Sequence, residues 1–593
     1  MDRWTNLISM FFAQAEKLAD QPFLWAKENG NYTSQSWADV AGHVLAISKG
    51  LSALGIEKGD RVVLCSENRP EWPIAHLAIM AAGGITVPVY TTNTVNDHLY
   101  ILSNSGAKAA IVSTNNLADR MIPAANQTDS ISIVITMEEL DINQASGFDI
   151  KTWQSVISMG NRIDGDVKDS VFTPAEGDTA VIIYTSGTGG APKGVMLPHR
   201  AILHNCRGAA DVLKDLGLEN NVFLSFLPLS HSYEYTAGQF FPISIGAQIY
   251  YAEGIDHLAS NMAEARPTIM TAVPRLYESM HSRIMRGVEK SGGIKATLFA
   301  TAVRLGQKKI TNPRSLSVGE RISDAIVDKL VRNKVRANFG GRLKALVSGG
   351  APLNPDIGNF FSALGLRLLQ GYGQTESAPV ISCNRPGQIK LDTVGRPLLD
   401  TEVKIAEDGE ILVKGELLMT GYWRNEEATR EALRDGWLHT GDVGHIDEQG
   451  RILITDRKKD IIVNSGGDNV SPQRVEGFLT LEPEIAQAMV YGDKRPHLVG
   501  LLVPDADFAA DWAAANNADN NLASLIENVD FIRTIDRAVD RVNANLGVIE
   551  RVRRFALTAN AFTVDNEQMT PTLKVRRHVI TEVYTEKLEG LYH

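Results

Sequence analysis

The sequence predicts an α/β fold built from layered, largely parallel sheets, with a β-rich subdomain and a small α+β unit at its C-terminal end. Three observations carry that expectation. Short apolar strands alternate with helical stretches through the first part of the chain. β-propensity rises after Thr393, where segments are separated by DG and QG turns. The chain is 593 residues long, more than a single compact domain holds, so several domains are expected.

In order, residues 38–54 read as a helix closing near Gly55, and Arg61–Cys65 (RVVLC) as a short buried strand. Residues 72–82 are helical, and residues 85–90 and 109–113 are strand-like. Farther on, residues 180–184 (AVIIY) form a buried strand, followed by a glycine-rich loop and then a helix. That helix has Ile202, Cys206, Ala209, Leu213 and Leu216 at helical spacing. Residues 276–337 are mostly helical and charged, leading to a strand at 343–348 and a turn at 349–352. The β-rich part comprises residues 402–405, 410–419 and 451–454. After residue 459, strands at 498–503 and 554–557 and a helix and loop at 509–522 make a small α+β unit. The boundary is expected near residues 456–460, dividing the chain into 1–458 and 459–593.

Composition narrows the function. Apolar residues make up 44% and charged residues 22%, which fits a globular chain. Lys plus Arg number 59 against 70 Asp plus Glu, a net charge of −11, and so no general nucleic-acid binding is expected. The three cysteines, Cys65, Cys206 and Cys383, are far apart, which argues against a zinc or disulfide scaffold and fits a reducing cytoplasm. No secretory leader is expected. The apolar stretches 77–90 and 235–252 are interrupted by Gly, Pro and Gln, so neither reads as a bilayer-spanning helix. Contact with a membrane surface stays open.

Residues 184–194, YTSGTGGAPKG, place four glycines, three hydroxyl side chains and Lys193 after a buried strand. Glycines let backbone N–H groups turn towards an anion. Thr185, Ser186 and Thr188 add donors and Lys193 a charge, a set suited to a triphosphate. It is not a Walker A loop, because Pro192 and Gly194 flank the lysine. Residues 370–377, QGYGQTES, offer Tyr372 for stacking on a nucleobase and Glu376 for Mg²⁺, which prefers oxygen ligands. Residues 436–442 (GWLHTGD) and 456–460 (DRKKD) offer Asp442 for ribose hydroxyls and Arg457 beside it. Singly, each of the last two could be a buried tyrosine or a solvated charge run.

Together these segments resemble the adenylate-forming superfamily of acyl-CoA synthetases, luciferases and peptide-synthetase adenylation domains. The match to its [YF]TSGTTGxPKG loop departs only at Gly189. SGGAPL at 348–353, YGQTES at 372–377, TGD at 440–442 and a lysine near the C-terminus follow in family order. VPRLYE at 273–278, the extended helical segment before SGGAPL and TPTLKVRR at 570–577 make the chain similar to bacterial long-chain fatty acid–CoA ligases, and LPLSHSYEY at 227–235 resembles the family's LPLxHxFE element, with Tyr233 where Phe is more usual.

The resemblance implies ATP, Mg²⁺ and CoA as reactants or cofactors. It assigns ATP contacts to Thr185, Ser186, Gly187, Thr188, Gly189, Lys193, Gly350, Ala351, Gly371, Tyr372, Gly373, Thr375, Asp442, Arg457 and Lys574. Thr188 and Glu376 would hold Mg²⁺, and Lys574, His231, Lys193 and Glu376 would be catalytic. Lys459 would be the hinge of a mobile C-terminal lid, and Ser465, Gly466 and Gly467 would line the CoA path. The expected reaction is activation of a fatty acid to its acyl-adenylate and transfer to CoA. A carrier protein as acceptor, or a medium-chain or aryl acid as substrate, stays open. So do a homodimer and a peripheral place at the inner membrane face of a cytoplasmic protein.

Overall fold

The computed structural model describes residues 3–139, 147–164, 171–185, 191–312, 315–466, 468–564, 566–570 and 575–593. The fold is mixed α/β, as the alternation of strands and helices predicts. Among the described residues, Ile85–Val89, Arg61–Cys65, Ala109–Val112, Ile133–Thr136 and Asp149–Thr152 run parallel beside Thr179–Thr185 in one sheet. Except for the end strand Asp149–Thr152, which is polar and has no buried position, their near-continuous apolar character is what a sheet covered by helices on both faces demands. Residues 109–112 and 133–136, for example, are buried at every position.

A second sheet has six parallel strands, in the order Leu368–Gly373, Ala345–Ser348, Ile269–Ala272, Val222–Ser225, Gln248–Tyr251 and Pro22–Glu28. Antiparallel strands flank them on both sides. Helix Trp37–Ala53 starts where Ser36 accepts from the Asp39 N–H and Asp39 returns the bond to the Ser36 N–H, a capping box. It buries Val40, Val44, Ile47 and Leu51, at steps of four, three and four, into the common core.

The third sheet is antiparallel and holds Glu402–Ile405, Glu410–Lys414, Leu433–Arg434, Trp437–Ile446 and Ile452–Arg457. Beyond it, Ile485–Tyr491, Leu498–Pro504 and Val552–Leu557 form a small sheet packed by helix Val529–Asn543. That helix buries Phe531, Ile535, Ala538, Val539 and Val542 along one stripe, so this unit has its own core. Its ties to helix Pro274–Ser291 include exposed ones: Arg286 pairs with Asp507 at 2.6 Å, and Arg275 donates to the Ala486 carbonyl at 2.9 Å. Surface ion pairs of this kind contribute little.

Three sequence expectations need correction. The glycine-rich segment does not lead straight into a helix. Strand Lys193–Pro198 comes first, folding back antiparallel on Thr179–Thr185, and helix His199–Leu213 follows. That helix stops short of Leu216, giving way to a 3₁₀ turn at Lys214–Leu216 before Gly217, whose φ of +74° no helix accepts. The strand expected over 410–419 ends at Lys414.

Candidate active site

Parallel α/β sheets expose ligand crevices at the carboxyl ends of their strands. Here both sheets direct such ends to one cleft of about 2350 Å³. Thr185 ends its strand at the cleft wall. Gly349, Gly350 and Ala351 follow strand Ala345–Ser348, Tyr372 and Gly373 end strand Leu368–Gly373, and His231, Ser232 and Tyr233 follow strand Val222–Ser225. The antiparallel sheet contributes Asp442 and Arg457, and Lys459 comes from the connection to the small unit. The cleft therefore gathers Thr185, Lys193, His231, Gly350, Ala351, Gly371, Tyr372, Gly373, Thr375, Glu376, Asp442, Arg457 and Lys459 from segments almost 300 residues apart.

Local bonds explain their positions. Tyr372 donates its phenol to Asp442 Oδ2 at 2.6 Å, and Arg457 Nε lies 3.3 Å from Asp442 Oδ1. Asp442 and Arg457 are register partners in adjacent antiparallel strands, so the pair is built into the ladder. Asp442 is only 4% exposed, and a buried carboxylate needs such partners. Burial, then Asp442, pushes the Tyr372 phenol well above its ordinary value. Burial opposes the charge on Arg457, yet the neighbouring carboxylates, Asp442 foremost, outweigh it and raise its pKa. Each Asp442 oxygen has a second lone pair for a ligand hydroxyl.

Glu376 is held at both ends. Its carbonyl accepts the Met419 N–H at 2.9 Å, and its Oε1 accepts the Tyr422 phenol at 2.8 Å. Oε2 makes no hydrogen bond among the described residues. The Tyr422 ring also lies 5.0 Å from Lys193 Nζ, so one tyrosine stands between the cation and the carboxylate. Tyr422 was not singled out from the sequence. Its two-residue strand, Gly421–Tyr422, pairs with Val195 and Met196, a long-range contact with no local signature.

Two further links hold the loops in place. Ser232 and Thr375 share a hydroxyl–hydroxyl bond of 3.1 Å, joining LPLSHSYEY to GYGQTES. Gly373 has no side chain because the antiparallel neighbour passes against it; a Cβ there would lie 1.7 Å from the Pro379 carbonyl oxygen. The sequence assigns no role to Glu234, although LPLSHSYEY contains it. It is fully buried and starts a π-helical turn, Glu234–Phe240. Ser225 and Thr271, on neighbouring parallel strands, each donate a hydroxyl to it at 2.6 Å. Burial raises its pKa to about 7, against the pull of those two hydroxyls. It lies next to Tyr233, whose phenol donates to the Val347 carbonyl at 2.8 Å, and so fixes the turn that presents His231.

Ser465 and Gly466 are not brought to the cleft. They sit in an exposed turn, where the Ser465 N–H donates to the Arg495 carbonyl and the Gly466 N–H to Asn464. Ser186, Gly187, Thr188, Gly189, Gly467 and Lys574 lie outside the described residues. Among the described residues, no cluster of three or more His, Cys, Asp or Glu could hold a metal alone. No helix among them is long and apolar enough to cross a membrane.

Comparison with known proteins places this arrangement. The family model described as AMP-binding enzyme matches residues 11–423, and the AMP-binding enzyme C-terminal domain matches residues 459–593. The long-chain-fatty-acid–CoA ligase FadD15 of Mycobacterium tuberculosis is 32% identical over 99% of this chain and 97% of its own length. The peroxisomal long chain acyl-CoA synthetase 6 of Arabidopsis thaliana is 30% identical, over 95% of this chain and 82% of its own. Among solved structures, the A domain of a carboxylic acid reductase from Segniliparus rugosus, in complex with AMP and a carboxylic acid, shares the fold. Its TM-score is 0.79 at 20% identity, covering 100% of this chain and 95% of that one. With matches spanning both parts of the sequence and relatives aligned almost end to end, the chain belongs to the AMP-binding enzyme family.

Proposed function

We propose that the protein is an AMP-forming long-chain fatty acid–CoA ligase. The observation that carries this reading is the single cleft in which Lys193, Glu376, Tyr372, Asp442 and Arg457 converge. It is supported by full-length relatives named as long-chain-fatty-acid–CoA ligases. In the first step a fatty carboxylate oxygen attacks the α-phosphorus of ATP and pyrophosphate leaves. In the second the sulfur of CoA, giving up its thiol proton, attacks the acyl carbonyl carbon; the bond from that carbon to the bridging oxygen breaks, and AMP leaves carrying that oxygen and the electron pair. A carboxylate becomes an acyl donor only once its oxygen is part of a good leaving group.

Charge gathers on the phosphate oxygens during the first step, so positioned cations and donors should dominate its catalysis. Thr185, Ser186, Gly187, Thr188, Gly189 and Lys193 would cradle the phosphates. Gly350, Ala351, Gly371, Tyr372, Gly373 and Thr375 would enclose adenine, and Asp442 with Arg457 would take the ribose hydroxyls. His231 would face the carboxylate and thiol path. Mg²⁺ arriving with ATP would neutralise phosphate charge, and Glu376, which lines the cleft and whose Oε2 makes no hydrogen bond among the described residues, suits it as an oxygen ligand; Thr188 would be the second.

Residues 459–593 would act as a mobile domain that turns about Lys459 against the 1–458 platform. In one orientation it would present Lys574 to the acyl phosphate. In the other it would carry Ser465, Gly466 and Gly467 to the CoA path, away from the exposed place they hold here. The separate core of the small unit and its exposed ties to helix Pro274–Ser291 suit such a turn. Collection of fatty acid at the inner face of a membrane belongs to the same reading.

The test is AMP release from a panel of acids of increasing chain length, with CoA or an acyl carrier protein as acceptor. Long-chain acids with CoA should be fastest. Faster turnover of aryl or short acids, or transfer to the carrier only, would overturn the assignment.

A further inference from the structure

The helical segment before SGGAPL holds a surface that the cleft does not use. Residues 293–338 contain ten Lys and Arg against three Asp and Glu, a net charge of +7 within a chain of −11. On helix Val318–Val327 and the π turn Asp328–Arg332, the residues Val318, Ile322, Ile326 and Leu330 recur every four positions. They are 76%, 60%, 50% and 46% exposed. A four-residue step drifts by about 40° along an α-helix, and the wider π turn offsets the drift, so the four stay on one side. The opposite side packs Val327 against Ala302 and Leu305. The helix therefore has two apolar faces, one in the core and one in solvent, and an exposed apolar stripe marks an interaction surface.

Charge identifies what fits that stripe. The three acidic side chains are all turned into ion pairs: Glu320 with Lys308 at 2.8 Å, Asp324 with Arg332 at 2.7 Å and Asp328 with Arg336 at 2.8 Å. Arg321, Lys329 and Lys334 are exposed and make no ion pair among the described residues. The stripe is thus apolar with an unneutralised basic border, the pattern of a helix lying in the interface of an anionic bilayer. A two-fold copy of the chain would set the same cations against themselves. The neighbouring core also leads to the cleft. One apolar cluster joins Phe299 and Val303, on helix Gly293–Thr311, through Phe360 and Ile357 to Leu353 and Leu391, which line the cleft wall.

We infer that Val318, Ile322, Ile326 and Leu330, bordered by Arg321, Lys329 and Lys334, dock the protein on an anionic phospholipid surface. This rests on the fatty acid ligase reading, because it sets the acid-binding wall beside the lipid that holds the acid. The experiment is sedimentation of the full chain with vesicles of phosphatidylcholine alone, and with about a third phosphatidylglycerol. Wild type should bind the second and not the first, and should be released by salt. I322D/I326D and R321E/K329E should each bind about tenfold more weakly or less. Ligase activity on acid supplied in detergent should be unchanged in both variants, which shows that they are folded.

Wild type that stays in the supernatant with both vesicles, or variants that bind as wild type does, would overturn the docking while leaving the ligase reading intact. A wild-type dimer that I322D/I326D splits in analytical ultracentrifugation would reassign the stripe to self-association. Absence of activity on detergent-supplied acid, with vesicle binding retained, would sink the ligase reading instead.

Discussion

Tyr372 donates its phenol to Asp442 Oδ2 over 2.6 Å, tying the end of a parallel strand to a strand of the antiparallel sheet. Asp442 is nearly buried, so this bond and the Arg457 contact keep a charge ready in the cleft.

Tyr372→Phe should therefore leave Asp442 Oδ2 short of a donor. Leaving a buried acceptor unpaired costs about 1–3 kcal/mol, or about 5- to 150-fold. We expect the KM for ATP to rise within that range in ATP–pyrophosphate exchange, with kcat changed much less. An unchanged KM would detach this pair from nucleotide binding.

Glu376→Gln keeps an oxygen for the Tyr422 phenol and removes the charge. The Mg²⁺ concentration needed for half-maximal exchange should rise about 10- to 100-fold, with the fold intact by circular dichroism. Equal Mg²⁺ dependence in both proteins would place the ion elsewhere.

Lys574→Ala and Gly467→Leu should separate the two steps. The first should slow acyl-adenylate formation about 10²- to 10³-fold and largely spare CoA transfer to supplied acyl-adenylate. The second should do the reverse. Parallel loss of both steps in either variant would argue against one unit serving two orientations.

Glu234→Gln tests the buried carboxyl through pH. Its folded pKa of about 7 lies above the ordinary 4.5, so the folded chain holds the proton more tightly than the unfolded chain. The stabilisation from that proton is complete below pH 4.5 and is lost as pH rises through 7. A tenfold change in proton affinity is worth about 1.4 kcal/mol. Wild type, compared with the variant, should be more stable to denaturant at pH 5 than at pH 8. A difference independent of pH would mean that Glu234 titrates normally.

Gly373→Ala places a methyl 1.7 Å from the Pro379 carbonyl oxygen. The strands must part, at a cost of about 3 kcal/mol, read as a lower denaturant midpoint. Full stability in that variant would show that the neighbouring strand Val380–Cys383 yields freely.

Local signals proved legible where one stretch of chain does the work. Strand Arg61–Cys65 is apolar because a covered parallel strand must be, and helix Trp37–Ala53 reads from its four- and three-residue steps. The short strand Lys193–Pro198 was missed because its β-pairing to Thr179–Thr185 is set by the partner strand and not by its own composition. Tyr422 and the role of Glu234 were illegible for a related reason. Each owes its place to partners such as Glu376 and Ser225, and no residue near it in the chain announces them.

The sequence by itself determined the class of fold, the kinds of side chain available and the order of the motifs, because strand burial, helical period and glycine content are local properties. Only the tertiary structure decided that Lys193, Tyr422 and Glu376 stand in one row, that Asp442 meets both Tyr372 and Arg457, and that Ser465 and Gly466 lie outside the cleft. Those relations depend on how three sheets pack, and packing is settled by the burial of whole faces and the pairing of buried charges across distant segments.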